Sequence, residues 1–221
     1  MSNLSCRVCF ILAEPSHPGN IGSAARAVKT MGFTDLRVVS PKCPEYREHP
    51  DAVAMATSSV DVLRSSTSYT TLSQALEDVL FAFALSGYNR EFGPPIEALQ
   101  TSTRRAALLL ANPQVGSGKI AFVFGCERSG LTNEEMALCQ ACSAIAANPE
   151  SPSLNLAQAV QITAYEMHLA ILKAENHAGE LYAWQDRFDH EPIAGVAALE
   201  GFFCALGKGD DCVRGLGSEG A

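Results

Sequence analysis

Residues 5–40 contain the stretch that decides the fold: SCRVCFILA at 5–13, NIGSAARAVKTMG at 20–32 and DLRVVS at 35–40. The first run is short and apolar, as in a buried strand, and the second places apolar residues at helical spacing up to Gly32. The third run is again typical of a strand. A strand, helix, strand order with short connections indicates a βαβ unit with parallel strands. We therefore predict an α/β fold.

The same alternation continues along the chain. Thr71 and Gln74 have capping-box spacing, as do Thr132 and Glu135, so a helix is expected to begin after each threonine. The last strand is expected to end at Pro149. The other segments predicted from the apolar pattern are the strands LFAFAL, KIAFVFG and SAIAANP and the helix STRRAALLLAN.

The longest helical pattern is SLNLAQAVQITAYEMHLAILKAE, which begins at Ser153. Its apolar residues surround much of the helix, which indicates burial on more than one side. Packing against a partner subunit and full burial in the core of one chain both explain this pattern. We expect the segment from Asn155 to about Ala174 to lie in a homodimer interface.

The chain has 221 residues, 47% of them apolar, which is enough for one α/β core with an appendage. We predict one domain over residues 1–175 and a short acidic extension over 176–221, partly helical and disordered at its glycine-rich end. No run approaches the ~18 apolar residues of a membrane span, and the N-terminus lacks a signal-peptide pattern. A cytoplasmic protein without a membrane partner is expected.

The net charge of −8 argues against a protein that coats nucleic acid, because phosphate backbones are bound mainly through lysine and arginine. Nine acidic and four basic residues lie from Lys173 onward, so the acidity is concentrated near the C-terminus. A local basic site elsewhere is compatible with this distribution.

Eight cysteines include two CxxC pairs, Cys6 with Cys9 and Cys139 with Cys142, so a zinc site or a redox pair is an alternative. If Cys6 and Cys9 lie in one strand, they point to opposite faces and cannot share a metal ion. Buried thiols in a reducing compartment explain the pattern better, and no metal site is expected.

A glycine-bounded loop follows the strand KIAFVFG and precedes a helix. Gly125, Gly130, Leu131 and Thr132 have the spacing of the phosphate-binding pattern GxxxxGK[ST], but Leu131 stands where the pattern has lysine. Without that ammonium group, nucleotide hydrolysis is disfavoured. Backbone N–H groups at a helix N-terminus still suit an adenosine-type or other polar ligand.

Three polar clusters, HPGNIGSAAR, FGCERSGLTNEE and NPESPSLNLAQA, follow predicted strands. Ligands gather at the carboxyl ends of strands in open α/β sheets, so the clusters form a candidate site. Each residue also has a structural explanation. Asn20 could cap the first helix, Glu127 and Arg128 could form a surface ion pair, and Ser153 and Asn155 could cap the long helix.

In this order and spacing, NIGSAAR, VFGCERSGL and SLNLAQAV resemble the three signature motifs of the TrmH (SpoU) branch of the SPOUT RNA ribose methyltransferases. The resemblance covers roughly residues 6–172. Within the branch, GNIGSAARAVKTMGF, GLTNEE and AIAANPESPSLNLAQAVQITAYE are most similar to enzymes that methylate a ribose 2'-hydroxyl in the tRNA anticodon loop, of the Cm32/Um32 type.

The resemblance implies a parallel sheet flanked by helices with a C-terminal deep trefoil knot, S-adenosylmethionine as methyl donor, and tRNA as substrate. It also implies a homodimer that completes the active site and a reaction that requires no metal. The residues expected to hold the cofactor, largely through backbone groups, are Leu85, Ser86, Gly87, Gly125, Ile145, Pro152, Ser153 and Leu154.

The catalytic residues implied by the resemblance are Arg26, Asn20, Glu127, Ser153 and Asn155. Arg26 is expected to contact the phosphate and ribose of the target nucleotide. Because the pKa of arginine exceeds ~12, we expect it to position the hydroxyl and stabilise charge rather than remove a proton. Asn20 and Glu127 are expected to order the loops around Arg26, with Ser153 and Asn155 near the methyl-transfer centre.

Three positions depart from the anticodon-loop enzymes. Tyr88 stands where they commonly have arginine, and Ser151 and Pro152 stand where they have a Tyr-Ser pair. The acidic extension also replaces a longer basic helical one. Tyr88 and the extension favour the alternative function, a catalytically weak or inactive RNA-binding protein that keeps the fold, whereas the differences at Tyr88, Ser151 and Pro152 bear on the choice of RNA.

Overall fold

The computed structural model describes residues 4–87 and 94–175. The predictions made for Tyr88 and for the extension over residues 176–221 lie outside these residues. The helices of the described part are α1 (Pro18–Thr30), α2 (Pro50–Ala56), α3 (Val60–Ser65), α4 (Leu72–Ala75), α5 (Leu99–Ala111), α6 (Asn133–Ala137) and α7 (Leu156–Ala174). Its strands are β1 (Val8–Ala13), β2 (Asp35–Val39), β3 (Thr67–Tyr69), β4 (Val79–Leu85), β5 (Ile96–Ala98), β6 (Lys119–Phe124) and β7 (Ala141–Ala144).

Within the described part, the strands form one sheet in the order β3-β2-β1-β6-β4-β7-β5, and every neighbouring pair is parallel. Alternate strand residues belong to two apolar layers. Phe10, Phe83 and Phe122 pack with residues of α1, α5 and α7, whereas Ile11 and Val123 pack with residues of α4 and α6. The predicted parallel sheet flanked by helices is confirmed.

Helix α1 confirms the prediction that Gly32 follows a helix end. Gly32 has φ +79°, a left-handed conformation that glycine adopts without strain. The N–H groups of Gly32 and Phe33 donate to the carbonyls of Lys29 and Val28, at 3.0 Å each. This is the Schellman pattern of a helix C-terminus, and buried Phe33 completes it.

The capping predictions have different outcomes. At α6, the Thr132 side chain accepts from Glu135 N and the Glu135 side chain accepts from Thr132 N, so the capping box is complete. At α4, Thr71 accepts from Gln74 N, but the Gln74 side chain accepts from Thr70 instead of Thr71. The second box is therefore only half formed.

Two boundary predictions are wrong. Strand β7 begins at Ala141 and ends at Ala144, well before Pro149, because its partner strands β4 and β5 end at Leu85 and Ala98, which pair with Ser143 and Ala144. Cys6 lies exposed in a 3-10 turn before β1, so it does not share a strand with buried Cys9.

The buried thiols of Cys9 and Cys139 lie in an apolar layer. Burial raises the pKa of Cys9 and of Cys139 to about 12, so both stay protonated near neutral pH.

Residues 4–87 and 94–175 contain no group of three or more His, Cys, Asp or Glu side chains that could hold a metal ion. In the same residues, no helix is long and apolar enough to cross a lipid bilayer.

A buried arginine links the amino ends of three strands. Arg37 in β2 is 3% exposed and donates to Asp35 and to Asp78, the residue before β4. Lys119, at the start of β6, donates to Asp35 at 2.7 Å. The hydrogen bond from Arg37 lowers the pKa of Asp78 to about 2. This ion cluster was missed from the sequence because its members are far apart along the chain.

Helix α1 crosses α2 at very short range. A Cβ atom at Gly22 would lie 2.0 Å from the carbonyl oxygen of Ala52, whereas a Cβ atom at Gly19 would lie no closer than 3.7 Å to another residue. Gly22 is therefore required by the contact between the helices, and Gly19 is not.

We predict that Gly22→Ala lowers the free energy of unfolding by about 1–3 kcal/mol, because the added methyl group forces α1 and α2 apart. Gly19→Ala is the matched control on the same helix and should be neutral or stabilise by up to about 1 kcal/mol. Urea denaturation measures both variants. Equal stability of Gly22→Ala and wild type would contradict the close crossing.

Candidate functional site

A cavity opens at the carboxyl ends of β4, β6 and β7. Its walls come from residues 85–87 at the end of β4, residues 124–131 at the end of β6, and Ile145 with residues 152–154 after β7. The structure thus brings together at one cavity all of the residues predicted to hold a cofactor, namely Leu85, Ser86, Gly87, Gly125, Ile145, Pro152, Ser153 and Leu154. Their role in binding stays a prediction.

The glycine-bounded loop closes on itself. Gly130 N donates to Cys126 O at 2.8 Å, and a Cβ atom at Gly125 would lie 2.1 Å from the carbonyl carbon of Gly130. Gly125 is thus required by the closed loop itself. Leu131 stands in the lysine position of the phosphate-binding pattern. It is buried in the apolar layer that contains Ile11 and Val123.

The start of α6 offers less to a ligand than the sequence indicates. The N–H groups of Thr132 and Glu135 are both bonded within the capping box. These two N–H groups are therefore not available to a ligand, and the role of the other backbone N–H groups of the loop stays a prediction. Other loop residues, including Arg128 and Ser129, contribute polar side chains to the lining of the cavity.

The Glu127 carboxylate joins the loop after β6 to the start of α1. Its Oε2 accepts from Ser16 N at 2.9 Å and from Ser16 Oγ at 2.7 Å, and its Oε1 accepts from Asn20 Nδ2 at 2.8 Å. His17 N adds a longer bond of 3.4 Å. The sequence also allowed a surface ion pair between Glu127 and Arg128. The described residues contain no such pair.

The third motif joins the same network through Asn155. Asn155 Nδ2 donates to Asn20 Oδ1 at 3.0 Å, while Asn155 Oδ1 caps α7 by accepting from Ala157 N at 2.9 Å. Asn20 therefore bonds to Glu127 on one side and Asn155 on the other. A chain of three side chains thus ties the three sequence motifs together beside the cavity.

This network fixes the charge of Glu127. Burial alone would raise the pKa of its carboxyl, but the hydrogen bonds from Asn20 and Ser16 outweigh it and lower the pKa to about 2. Glu127 is therefore ionised near neutral pH, and its oxygens are occupied by protein donors. It is suited to hold loops and unsuited to accept a proton from a substrate.

Arg26 is not part of this cavity. It lies exposed on α1, and its guanidinium has no hydrogen bond or ion pair in residues 4–87 and 94–175. Other described cations are engaged: Lys29 with Asp61, and Arg64 with Glu48. The cations that share the unpaired state of Arg26 in the described part of the chain are Arg104, Arg128 and Lys173.

Sequence reasoning missed several residues of the site. Ser16 supplies two of the bonds to Glu127, yet it precedes the quoted polar cluster and carries no distinguishing pattern. Arg128 and Ser129 lie within a quoted cluster and line the cavity, so their position after β6 could have identified them. Ser143, also in the lining, lies inside a strand and offers no such indication.

Comparison with known proteins decides the family. Residues 7–165 match the model of the SpoU rRNA Methylase family. The chain belongs to the SpoU methylase family. The resemblance inferred from NIGSAAR, VFGCERSGL and SLNLAQAV is therefore confirmed.

Curated relatives within this SpoU family carry the name TrmJ. The tRNA (cytidine/uridine-2'-O-)-methyltransferase TrmJ of Pectobacterium atrosepticum is 39% identical over 195 residues, which cover 88% of this chain and 75% of the relative. The tRNA (cytidine/uridine/adenosine-2'-O-)-methyltransferase TrmJ of Pseudomonas aeruginosa is 40% identical over 169 residues, covering 76% of this chain and 63% of the relative. The predicted similarity to tRNA ribose methyltransferases is confirmed.

Solved structures also resemble this chain. A probable methyltransferase from Bordetella pertussis Tohama I matches with a TM-score of 0.73 and 44% identity, covering 78% of this chain and 100% of the other. TrmJ from Z. mobilis ZM4 matches with a TM-score of 0.64 and 31% identity, covering 72% of this chain and 67% of the other.

We predict that the stability contributed by Glu127 depends on pH. Because its pKa is depressed from 4.5 to about 2, its contribution is fully present above about pH 4.5 and is lost as the pH falls toward 2. The difference in unfolding free energy between wild type and Glu127→Gln should shrink over that range. Urea denaturation at several pH values measures it.

The carboxyl carbon of Glu127 gives an independent readout by NMR, with Glu127→Gln to assign the resonance. The resonance should not titrate until the pH falls below about 3.5. A midpoint near 4.5 would show that the donors around the carboxylate are not formed in solution.

Proposed function

We propose that this protein is an S-adenosylmethionine-dependent methyltransferase that methylates a ribose 2'-hydroxyl of tRNA in the anticodon loop, of the Cm32/Um32 type. The observation that carries this proposal is the Asn155–Asn20–Glu127 chain, because it ties all three family motifs to one cavity. The names of the TrmJ relatives support the reaction and the class of substrate. A tRNA substrate also fits the predicted cytoplasmic location.

The cavity fits S-adenosylmethionine in polarity. Part of its lining is buried and apolar, including Phe124, Leu131 and Met136, which suits a purine ring. Another part is exposed and polar, including Arg128 and Ser153, which suits the charged amino-acid end. When bound, the cofactor supplies a methyl group on a positively charged sulfur.

The protein residues divide into two groups by what their side chains already do. Asn20, Glu127 and Asn155 are occupied by bonds to one another and to the backbone, so we assign them to positioning the loops. The side chains of Arg26 and Ser153 have no hydrogen-bond partner within the described residues, so we assign them to contact with the substrates. In this proposal, Asn155 acts at the methyl-transfer centre only through the loops that it holds.

Arg26 would orient the target nucleotide. A guanidinium presents several N–H donors in one plane, so it can bind a phosphate and a ribose oxygen together. Its high pKa makes it a stabiliser of developing negative charge on the 2'-oxygen and a poor acceptor of the proton. Correct orientation of the hydroxyl toward the methyl group contributes to the rate because it removes the entropy cost of alignment.

We further propose a homodimer in which Arg26 serves the cavity of the partner chain. Its exposure on α1 and its absence from the lining of its own cavity support this arrangement. Helices α1 and α7 pack together, so one surface can carry both the arginine and the expected α7 interface. We also propose that the C-terminal part of the domain forms the deep trefoil knot implied by the SPOUT resemblance.

The reaction is tested with radiolabelled S-adenosylmethionine and tRNA from a strain that lacks the endogenous ribose methyltransferase. We expect label to enter this tRNA and not tRNA that is already modified. Filter binding provides the control for the alternative function. Retention of tRNA without incorporation of label would favour the inactive RNA-binding protein.

We predict that Arg26→Ala lowers methyl transfer by at least about 100-fold while the affinity for S-adenosylhomocysteine stays within about twofold, since the arginine contacts RNA and not the cofactor. Arg26→Lys should also fail substantially, because it loses the planar donor set. Arg104→Ala is the matched control, as Arg104 is also exposed and unpaired among the described residues but lies on α5. Near-normal turnover by Arg26→Ala would remove it from the mechanism.

Mixing two inactive chains tests the shared site. Gly87→Val places a side chain against Pro152, whose carbonyl oxygen would lie 3.3 Å from the added Cβ, so it should block the cavity. Refolding Arg26→Ala chains together with Gly87→Val chains should restore part of the activity. No recovery, or a monomer in light scattering at micromolar concentration, would contradict the proposed dimer.

A further inference from the structure

Two fully buried hydroxyl groups have no hydrogen-bond partner in the part of the chain that the structure describes: Ser143 Oγ in β7 and Thr163 Oγ1 in α7. Buried polar groups are almost always bonded, because desolvation without a hydrogen bond destabilises the fold. Ser143 lines the cavity and Thr163 does not. The two hydroxyls therefore form a natural pair for comparison.

The backbone of Ser143 is paired in the sheet on both sides, which fixes the position of the side chain. Ser143 O accepts from Ser86 N at 3.1 Å, and the residue pairs in register with Leu85 of β4 and Glu97 of β5. The side chain is thus held beside residues 85–87, which form one wall of the cavity.

Packing alone does not explain a serine at this position. The neighbours Ala141 and Ala144 are small, and an alanine at residue 143 would fill nearly the same space without burying an unbonded hydroxyl. A ligand in the adjoining cavity would supply the missing partner. This step rests on the proposed function, which gives the cavity to S-adenosylmethionine.

The polarity of the cavity indicates which portion of S-adenosylmethionine would lie near Ser143. The carboxylate and ammonium groups of the methionine end require charged or solvated surroundings, and burial next to unpaired neutral atoms is unfavourable for them. Ser143 belongs to the buried lining with Phe124 and Met136, whereas Arg128 and Ser153 belong to the exposed lining. The uncharged purine and ribose therefore suit the part of the cavity near Ser143.

We propose that the Ser143 hydroxyl hydrogen-bonds the adenosine portion of S-adenosylmethionine and is a further residue that determines cofactor specificity. Rotation about χ1 carries the hydroxyl among three staggered positions, so it can meet the ligand without movement of β7. A hydroxyl donates and accepts, so it can serve either kind of polar atom on a purine or ribose.

Calorimetric titration of S-adenosylhomocysteine and 5'-methylthioadenosine tests this contact in wild type, Ser143→Ala and Thr163→Val. Ser143→Ala should bind both ligands about 3- to 10-fold more weakly, the loss expected for one neutral hydrogen bond. Thr163→Val should bind both like wild type. Without ligand, each variant should melt at or above the wild-type temperature, because each loses an unbonded buried hydroxyl.

Unchanged affinity in Ser143→Ala would overturn the inference, and so would an equal loss in Thr163→Val, which would indicate a general packing effect. A loss confined to S-adenosylhomocysteine would overturn the assignment to adenosine, since 5'-methylthioadenosine lacks the amino-acid end. Failure of the wild type to bind either ligand is a distinct result that would contradict the proposed function itself.

Discussion

The Glu127 carboxylate is the interaction on which the site depends. It draws Ser16 and Asn20 to the loop after β6, and Asn20 in turn holds Asn155 at the start of α7. Each of these hydrogen bonds joins residues more than 100 positions apart in sequence, but a parallel sheet brings the three segments to one edge. A charged acceptor suits this role because its hydrogen bonds are stronger than those of a neutral group.

The sheet carries its two charge clusters at opposite ends. Arg37 fixes the amino ends of strands by ion pairs, and Glu127 fixes loops at the carboxyl ends by bonds from neutral donors. In the first cluster, Arg37 is buried, whereas Asp78 and Lys119 reach the surface, which suits a structural role. The side chains of Arg26 and Ser153 belong to neither cluster and have no partner in the described residues, and the proposed function assigns them to the substrates.

Much of the fold could be predicted from local patterns. The apolar run of β1, the helical spacing of α1 and Gly32 at its end each depend on near neighbours, so sequence reasoning succeeded there. The predicted end of β7 was wrong because the strand stops where its partners β4 and β5 stop, and those partners are distant in sequence. The residues around the cavity followed from motif resemblance, but the bonds of Ser16 and the unpaired hydroxyl of Ser143 depend on distant segments and left no local pattern.

The central claim is transfer of a methyl group to a ribose oxygen in tRNA by a site that these loops assemble. Mass-spectrometric mapping of tRNA treated with the protein and deuterated S-adenosylmethionine tests it most directly, because it gives the reaction, the nucleoside and the position together. The account predicts one heavy methyl group on the ribose of a nucleotide in the anticodon loop. A methyl group on a base, or none on any nucleoside, would contradict it.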